Sequence, residues 1–308
     1  MNIKLAALAG LAAVAAAAAL VAGAAGVFNP DAQPVGYVGQ PAVSSSNVAT
    51  GTARMYSIDY SSRNWTGNVR AYPISKAGAI GTVDDWGPGG AAAKIKAQAA
   101  LDTRYIVTIR DGAGIPFRWA DLSQGEGGQR QALDAASMGA SSSALLDYIR
   151  GSGANEGSAA GQFRSRATVL GDIIHSTPVY WDDGVNQTVF IGANDGMLHA
   201  INAQDGTERF AYVPQVLLPK LAMLANQAYN HKYYVDGRMD IRKMGAQTIL
   251  AGTLGGGGKA MFALDVTNAN ATSEANAAAK VLWEVSNQTA GFADLGDTYG
   301  APTLATLP

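Results

Sequence analysis

Between residues 189 and 214 the chain reads "VFIGANDGMLHAINAQDGTERFAYVP", short apolar runs broken by two Asp-Gly pairs. Runs this short, bounded by turn residues, predict strands. "VFIGAN" is a strand, Asp195-Gly196 a two-residue hairpin turn, and "MLHAINA" the returning strand. Asp-Gly suits such a turn when both central residues take positive φ. Asp205-Gly206 then turns the chain into "ERFAYVP", and "STPVYWDD" supplies a further strand before Gly184. The spacing predicts one compact sheet of four antiparallel strands.

The pattern recurs. "TILAGTLGGGGKAMFALDVTN", residues 248–268, repeats strand, glycine turn and strand, and "KVLWEVS", residues 280–286, adds an outer strand. A weaker copy is "MYSIDYSSRNWTGNVRAYPIS", residues 55–75. Aligning the returning strands puts Ala71, Ala200 and Ala263 in register, with insertions of unequal length between them. "GDIIHSTPVYW" from Gly171 and "GDTYGAPTLAT" from Gly296 echo each other, each with a Pro at the start of a strand, where Pro is tolerated. Repeated sheets that are apolar on both faces must stack. The expectation is all-β: a partial β-propeller of about three four-stranded antiparallel blades with short helical insertions. A two-sheet sandwich is the competing architecture. The helical insertions are read at 91–102, 142–151 and 218–229. The chain reaches Pro308 near the start of a strand, so it reads as the front part of a larger ring.

Composition narrows the function. Thirty-seven glycines among 308 residues fit many tight turns. A net charge of −2 argues against a broad nucleic-acid surface, so no nucleic-acid partner is expected. With no cysteine, disulfides, thiolate metal sites and a Cys nucleophile are excluded. "MNIKLAALAGLAAVAAAAALVAGAAG" has a lysine, an Ala/Leu/Val run and small residues near its end. That is the layout of a signal peptide over 1–24, cut after Ala24, with an uncleaved anchor as the alternative. Residues 25–53 are rich in Pro, Gly and Ser and read as a flexible leader; 54–308 is the incomplete propeller. The protein is thus read as exported, with no stable membrane span after cleavage.

"LGDIIHSTPVYW", "VFIGANDGMLHAINAQDGTERFAYVP", "HKYYVDGRMDI" and "QTILAGTLGGGGKAMFALDVT" follow one another in an order that resembles the C-terminal β-propeller of the type IV pilus PilC/PilY family. The similarity runs from about Arg54 to Pro308. It implies a non-enzymatic binding and assembly module serving pilus biogenesis, adhesion and twitching motility. It also implies type IV pilins and minor pilins as partners, a surface or host-cell receptor, and passage through the periplasm to the cell surface and pilus tip. The family's calcium loop falls beyond Pro308, so no cofactor is expected within this chain; "DVTNANATSE", from Asp265, is the nearest approach and fails the loop spacing. Family members also often carry an N-terminal von Willebrand-like region, absent from these residues. Two other blade-built classes stand beside this reading: a quinoprotein dehydrogenase and an outer-membrane assembly scaffold.

Candidate chemistry is sparse. His199 lies between Leu198 and Ala200, and Arg70 and Phe262 share its aligned position, which predicts packing on a blade face. His175 precedes Ser176 and Thr177 without the glycine-flanked elbow of a nucleophile. Asp195, Gly196, Asp205, Gly206, Asp172 and Asp297 are read as structural turn residues, the aspartates bonding backbone N–H groups. "GTLGGGGK", residues 252–259, lacks the Ser or Thr of a phosphate loop and reads as a flexible hairpin. The five tryptophans are assigned to packing at strand ends. "NHKYYVDGR" offers His231, Lys232, Tyr233, Tyr234 and Arg238 as a partner surface for carboxylates, with a solvated loop as the competing reading.

Overall fold

The computed structural model describes residues 53–305 together with two isolated dipeptide strands, β1 (Val35–Gly36) and β2 (Ala42–Val43). The proposed signal segment and most of the leader lie outside the described residues. In the first sheet, β3 (Arg54–Ser61) and β4 (Thr66–Pro73) form a long hairpin, and β1 and β2 pair with the other edge of β3. The predicted four-stranded unit is present as β7 (Val179–Asp182), β8 (Gln187–Gly192), β9 (Leu198–Asn202) and β10 (Glu208–Tyr212), paired in sequence and antiparallel. The third sheet is β11 (Met239–Met244), β12 (Gln247–Thr253), β13 (Ala260–Asp265) and β14 (Val281–Ser286), also in sequence order. This is the partial propeller that the pattern predicts.

One hairpin was not anticipated. β5 (Ile106–Arg110) and β6 (Ala113–Pro116) extend the middle sheet to six strands by a parallel pairing of β5 with β10. Their link, Asp111-Gly112, is the two-residue turn with positive φ at both positions, 52° and 80°. At 195–196 and 205–206 the geometry departs from that expectation. Five residues separate the strands there, only the glycines are left-handed (Gly196 at 97°, Gly206 at 77°), and each Asp stays at negative φ. The reason is local. Asp195 Oδ1 accepts the Met197 N–H at 3.1 Å and Asp205 Oδ1 the Thr207 N–H at 2.9 Å, so each carboxylate closes its own turn.

Alternation along the strands decides the stacking. In β8, Val189 and Ile191 face the first sheet, where they meet Tyr56, Ile58, Val69 and Trp86. Phe190, between them, faces the opposite core with Leu198, Phe210 and Phe262. Both faces of the middle sheet are therefore apolar, and a flanking layer covers each. The three helices near the predicted positions, α1 (Gly90–Ala100), α3 (Ser142–Arg150) and α4 (Leu218–Ala225), sit against these cores. Two shorter ones, α2 (Gln129–Ala132) and α5 (Glu274–Ala278), were not foreseen. α3 begins at Ser141, whose hydroxyl accepts the Ala144 N–H, and stops at left-handed Gly151. Ala71, Ala200 and Ala263, aligned by sequence, are all fully buried. Among the described residues no helix is long and apolar enough to cross a membrane.

The sheets also touch backbone to backbone. Residues 233–237 run between the β8–β9 turn and the β12–β13 turn. Tyr234 N–H donates to Asn194 Oδ1 at 2.9 Å, and Asp236 N–H donates to the Leu254 carbonyl at 3.2 Å. A Cβ on Gly257 would overlap the Tyr234 carbonyl oxygen, and one on Gly192 would overlap that of Val235. "GTLGGGGK" is thus no flexible hairpin: Gly255–Gly257 form a 3₁₀ turn packed under that segment. Gly257→Ala is expected to lower stability by about 2 kcal/mol or more, since backbone must move to admit the methyl group. Gly296→Ala, in open space, is expected to stay within about 0.5 kcal/mol of the parent. Urea unfolding midpoints of the two variants check both.

Candidate functional site

The first strand of the third sheet is reached through residues 231–238, and the first strand of the middle sheet through 171–178. The two segments lie side by side. His175 joins them: its Nδ1 is 2.6 Å from Asp236 Oδ2, and its backbone N–H donates to Asp236 Oδ1 at 3.1 Å. The Asp236 carboxyl is buried, and burial raises its pKa against the opposing hydrogen bonds of His175. The imidazole itself is 57% exposed, so its Nε2 side faces solvent. Beside it opens a cleft of about 560 Å³ lined by His175, Thr177, Asp236, Arg238, Gly255 and Tyr299, among others. Ser176 is buried with its hydroxyl accepting the Gly192 N–H at 2.9 Å, which ties down a strand end and takes it out of any nucleophilic role.

The partner surface read from "NHKYYVDGR" is divided by the fold. Lys232, Tyr233 and Arg238 are exposed, and neither cation forms an ion pair among the described residues. Tyr233 presents its ring edge-on to His231 at 5.0 Å and lies 5.3 Å from the His175 ring. Tyr234 is fully buried and cannot meet a partner: its hydroxyl donates to the Lys220 carbonyl, and its backbone fills the space that Gly257 leaves. His231 is mostly buried, clamped between Asp172 (Nε2 to Oδ2, 2.8 Å) and the Trp65 ring at 3.9 Å. Trp65 sits in the β3–β4 turn at φ 54°, so this stacking holds the tip of the first sheet against the loop. Sequence reading could not find His175, Thr177 or Tyr299 as neighbours of this loop. They are distant along the chain, and the repeat that contains them does not say which loop they meet.

Asp172 and Asp297 are not equivalent. Asp172 is buried and accepts from the Asn194 amide and His231, each at 2.8 Å, so it bonds side chains where backbone N–H groups were expected. Asp297 is exposed, and the next residue, Thr298, does the anchoring by donating to the Ala260 carbonyl at 2.8 Å. Asp265, the start of the calcium-like stretch, is also occupied: Thr267 holds Oδ1 and Gln247 Nε2 holds Oδ2. That donor set does not fit a calcium ion. Among the described residues no cluster of three or more His, Asp or Glu side chains is arranged to hold a metal.

His199 is buried as expected, but in ionic company. Its Nδ1 is 2.7 Å from Glu208 Oε1, and its Nε2 is 3.1 Å from both Asp195 oxygens. Arg104, also buried, donates to both Glu208 oxygens at 2.6 and 2.9 Å. Arg70, at the aligned position in the first sheet, is likewise paired, with Asp59 at 2.7 Å. Burial alone would strip the proton from His199; Asp195 and Glu208 overcome that and raise its pKa to about 9. For Glu208 burial acts upward, and Arg104 with His199 brings the pKa down to about 2. The folded His199 value lies above the ordinary 6.5, so its stabilising contribution is complete below pH 6.5. That contribution drains away as pH climbs through about 9. Stability against chemical unfolding is therefore expected to fall as pH rises across this window, and His199→Gln is expected to flatten the profile while lowering stability throughout. Unfolding curves taken at several pH values check the pair.

Residues 170–307 match the PilY1 beta-propeller domain. A type IV pilus biogenesis factor PilY1 homolog from Xylella fastidiosa is 31% identical over 292 residues, covering 85% of this chain and 21% of the relative. PilY1 of Pseudomonas aeruginosa strain UCBPP-PA14 is 32% identical over 297 residues, covering 80% of this chain and 23% of the relative. The crystal structure of the Pseudomonas aeruginosa PilY1 C-terminal domain shares 37% identity over 39% of this chain and 23% of that one, with a TM-score of 0.29. The chain spans about a fifth of the length of the curated relatives it matches. Ordered blade motifs, stacked sheets, the domain match and the PilY1 relatives converge: the chain belongs to the PilY1 family and carries part of its β-propeller.

Proposed function

We propose that this chain is an exported, non-enzymatic binding and assembly module of type IV pili. On this reading it acts in pilus biogenesis, surface adhesion and twitching motility, with pilins or minor pilins and a surface receptor as partners. The observation that carries the reading is the cleft beside His175, with Arg238 on its wall and Lys232 on the same loop, both cations unpaired among the described residues. Exposed cations beside the aromatic rings of Tyr233 and Tyr299 suit an acidic, partly apolar segment of a partner chain. Contacts of this kind require no covalent step. The segment is held rigidly from below by Tyr234, Asp236 and His231, so the exposed groups are presented on fixed backbone. The N-terminal apolar run supports export, with the mature protein starting after Ala24.

The test is binding of the purified chain to the pilins and minor pilins of its own strain, followed as a function of salt. Wild-type association is expected to slow as ionic strength rises. The double reversal Lys232→Glu with Arg238→Glu is expected to cut the association rate roughly tenfold while leaving the unfolding midpoint near wild type. Undiminished binding by the double variant would remove the cleft from the reading, and loss of twitching without loss of pilin binding would point to the receptor.

A further inference from the structure

The outer strand β14 carries a tryptophan that the core does not use. Trp283 stands opposite Ala263 in the sheet register and is 39% exposed, against the expectation that the tryptophans serve packing. It forms one wall of a cleft of about 530 Å³ between β14, the β5–β6 turn and residues 215–219. The polar groups on its walls include the amides of Gln129, Gln215 and Gln288, the hydroxyls of Ser286 and Thr289, and the carboxylates of Asp111 and Glu284. The volume falls in the range of small-molecule sites.

The walls are built, not loose. Glu284 accepts the Tyr212 hydroxyl and the backbone N–H groups of Gln215 and Val216, the latter two at 2.8 and 2.9 Å. That fixes residues 215–216 against β14. Ser286 Oγ accepts the Gln288 N–H at 3.1 Å and Thr289 Oγ1 accepts the Ser286 N–H at 3.0 Å, fixing the far side. The side-chain amides of Gln215 and Gln288, by contrast, make no hydrogen bond among the described residues, and each can both donate and accept. No lysine or arginine lines the cleft, and its exposed carboxylate, Asp111, lies 3.8 Å from Arg110. An acidic ligand finds no cation here, and a basic one finds Asp111 already beside an arginine and Glu284 already accepting three donors.

We propose that this cleft binds a neutral saccharide. A sugar ring offers an apolar C–H face for the indole and a fringe of hydroxyls that must each be both donor and acceptor. The pairing of an exposed aromatic ring with unpartnered amides meets both needs. The site lies on the outer edge of the third sheet and does not involve the Lys232 and Arg238 surface, so it stands independently of the pilin-binding reading.

The experiment is saturation-transfer NMR on the whole chain with a panel of neutral probes: methyl galactoside, methyl glucoside, N-acetylglucosamine, lactose and chitobiose. At least one is expected to receive saturation. Trp283→Ala is expected to weaken that binding roughly tenfold. Gln215→Ala with Gln288→Ala is expected to weaken it while leaving the circular dichroism of the chain unchanged. The Lys232→Glu, Arg238→Glu variant is expected to bind the sugar as wild type does. Absence of transfer to every probe overturns the proposal, as does full binding by folded Trp283→Ala.

Discussion

Residues 233–237 pass between two turns of neighbouring sheets so closely that, at two positions, only glycine fits against their backbone. Glycines at 192 and 257 leave bare backbone facing the carbonyls of Val235 and Tyr234. Main-chain groups of one sheet then meet main-chain groups of the next. The N–H of Val235 goes to the Ala193 carbonyl at the end of the middle sheet's β8, and that of Asp236 to the Leu254 carbonyl at the end of β12. Stacked apolar faces hold the sheets together over their length, but such contact slides easily. Backbone hydrogen bonds in a dry setting do not slide, and they set where each sheet stands relative to the other. The cleft beside His175, the clamp on His231 and the burial of Tyr234 all follow from that register.

A second constraint lies inside the middle sheet. Arg104, Glu208, His199 and Asp195 place two cations against two anions, three of the four fully or almost fully buried. Desolvation on this scale is offset only when every charge has its partner, so losing one member costs more than the network contributes as a whole. The network links β9 and β10 to Arg104, two residues before β5, and, through Asp195, to the Gly171 N–H at 2.9 Å. It therefore ties the unforeseen β5–β6 hairpin to the rest of the middle sheet. Specific placement of that hairpin is what creates the Trp283 cleft on the other side of the third sheet.

The two candidate surfaces differ in chemistry because they differ in place. The cleft beside His175 gathers loops that enter successive sheets, and its unpaired groups are cations beside tyrosines. The Trp283 cleft forms between an outer strand and an added hairpin, and its unpaired groups are amides. Because the two surfaces are separate, the proposed pilin contact and the proposed saccharide site would not compete.

Short apolar runs, Asp-Gly pairs and glycine content were enough to specify strands, their antiparallel order within two sheets, and stacking through two apolar faces. Those are local consequences of periodicity, and Val189, Phe190 and Ile191 show them directly. The exposure of Lys232 and Arg238 was also legible, since charged residues in a loop seldom bury. Tertiary structure decided the rest. It buried Tyr234 beside exposed Tyr233, gave His199 two carboxylates that lie four and nine residues away, and brought His175 to Asp236 across sixty-one. It also laid β5 parallel to β10, a pairing that no turn encodes. The division has a physical basis: side-chain alternation and turn chemistry act between near neighbours in sequence, whereas burial, ion pairing and clefts depend on which distant segment arrives alongside.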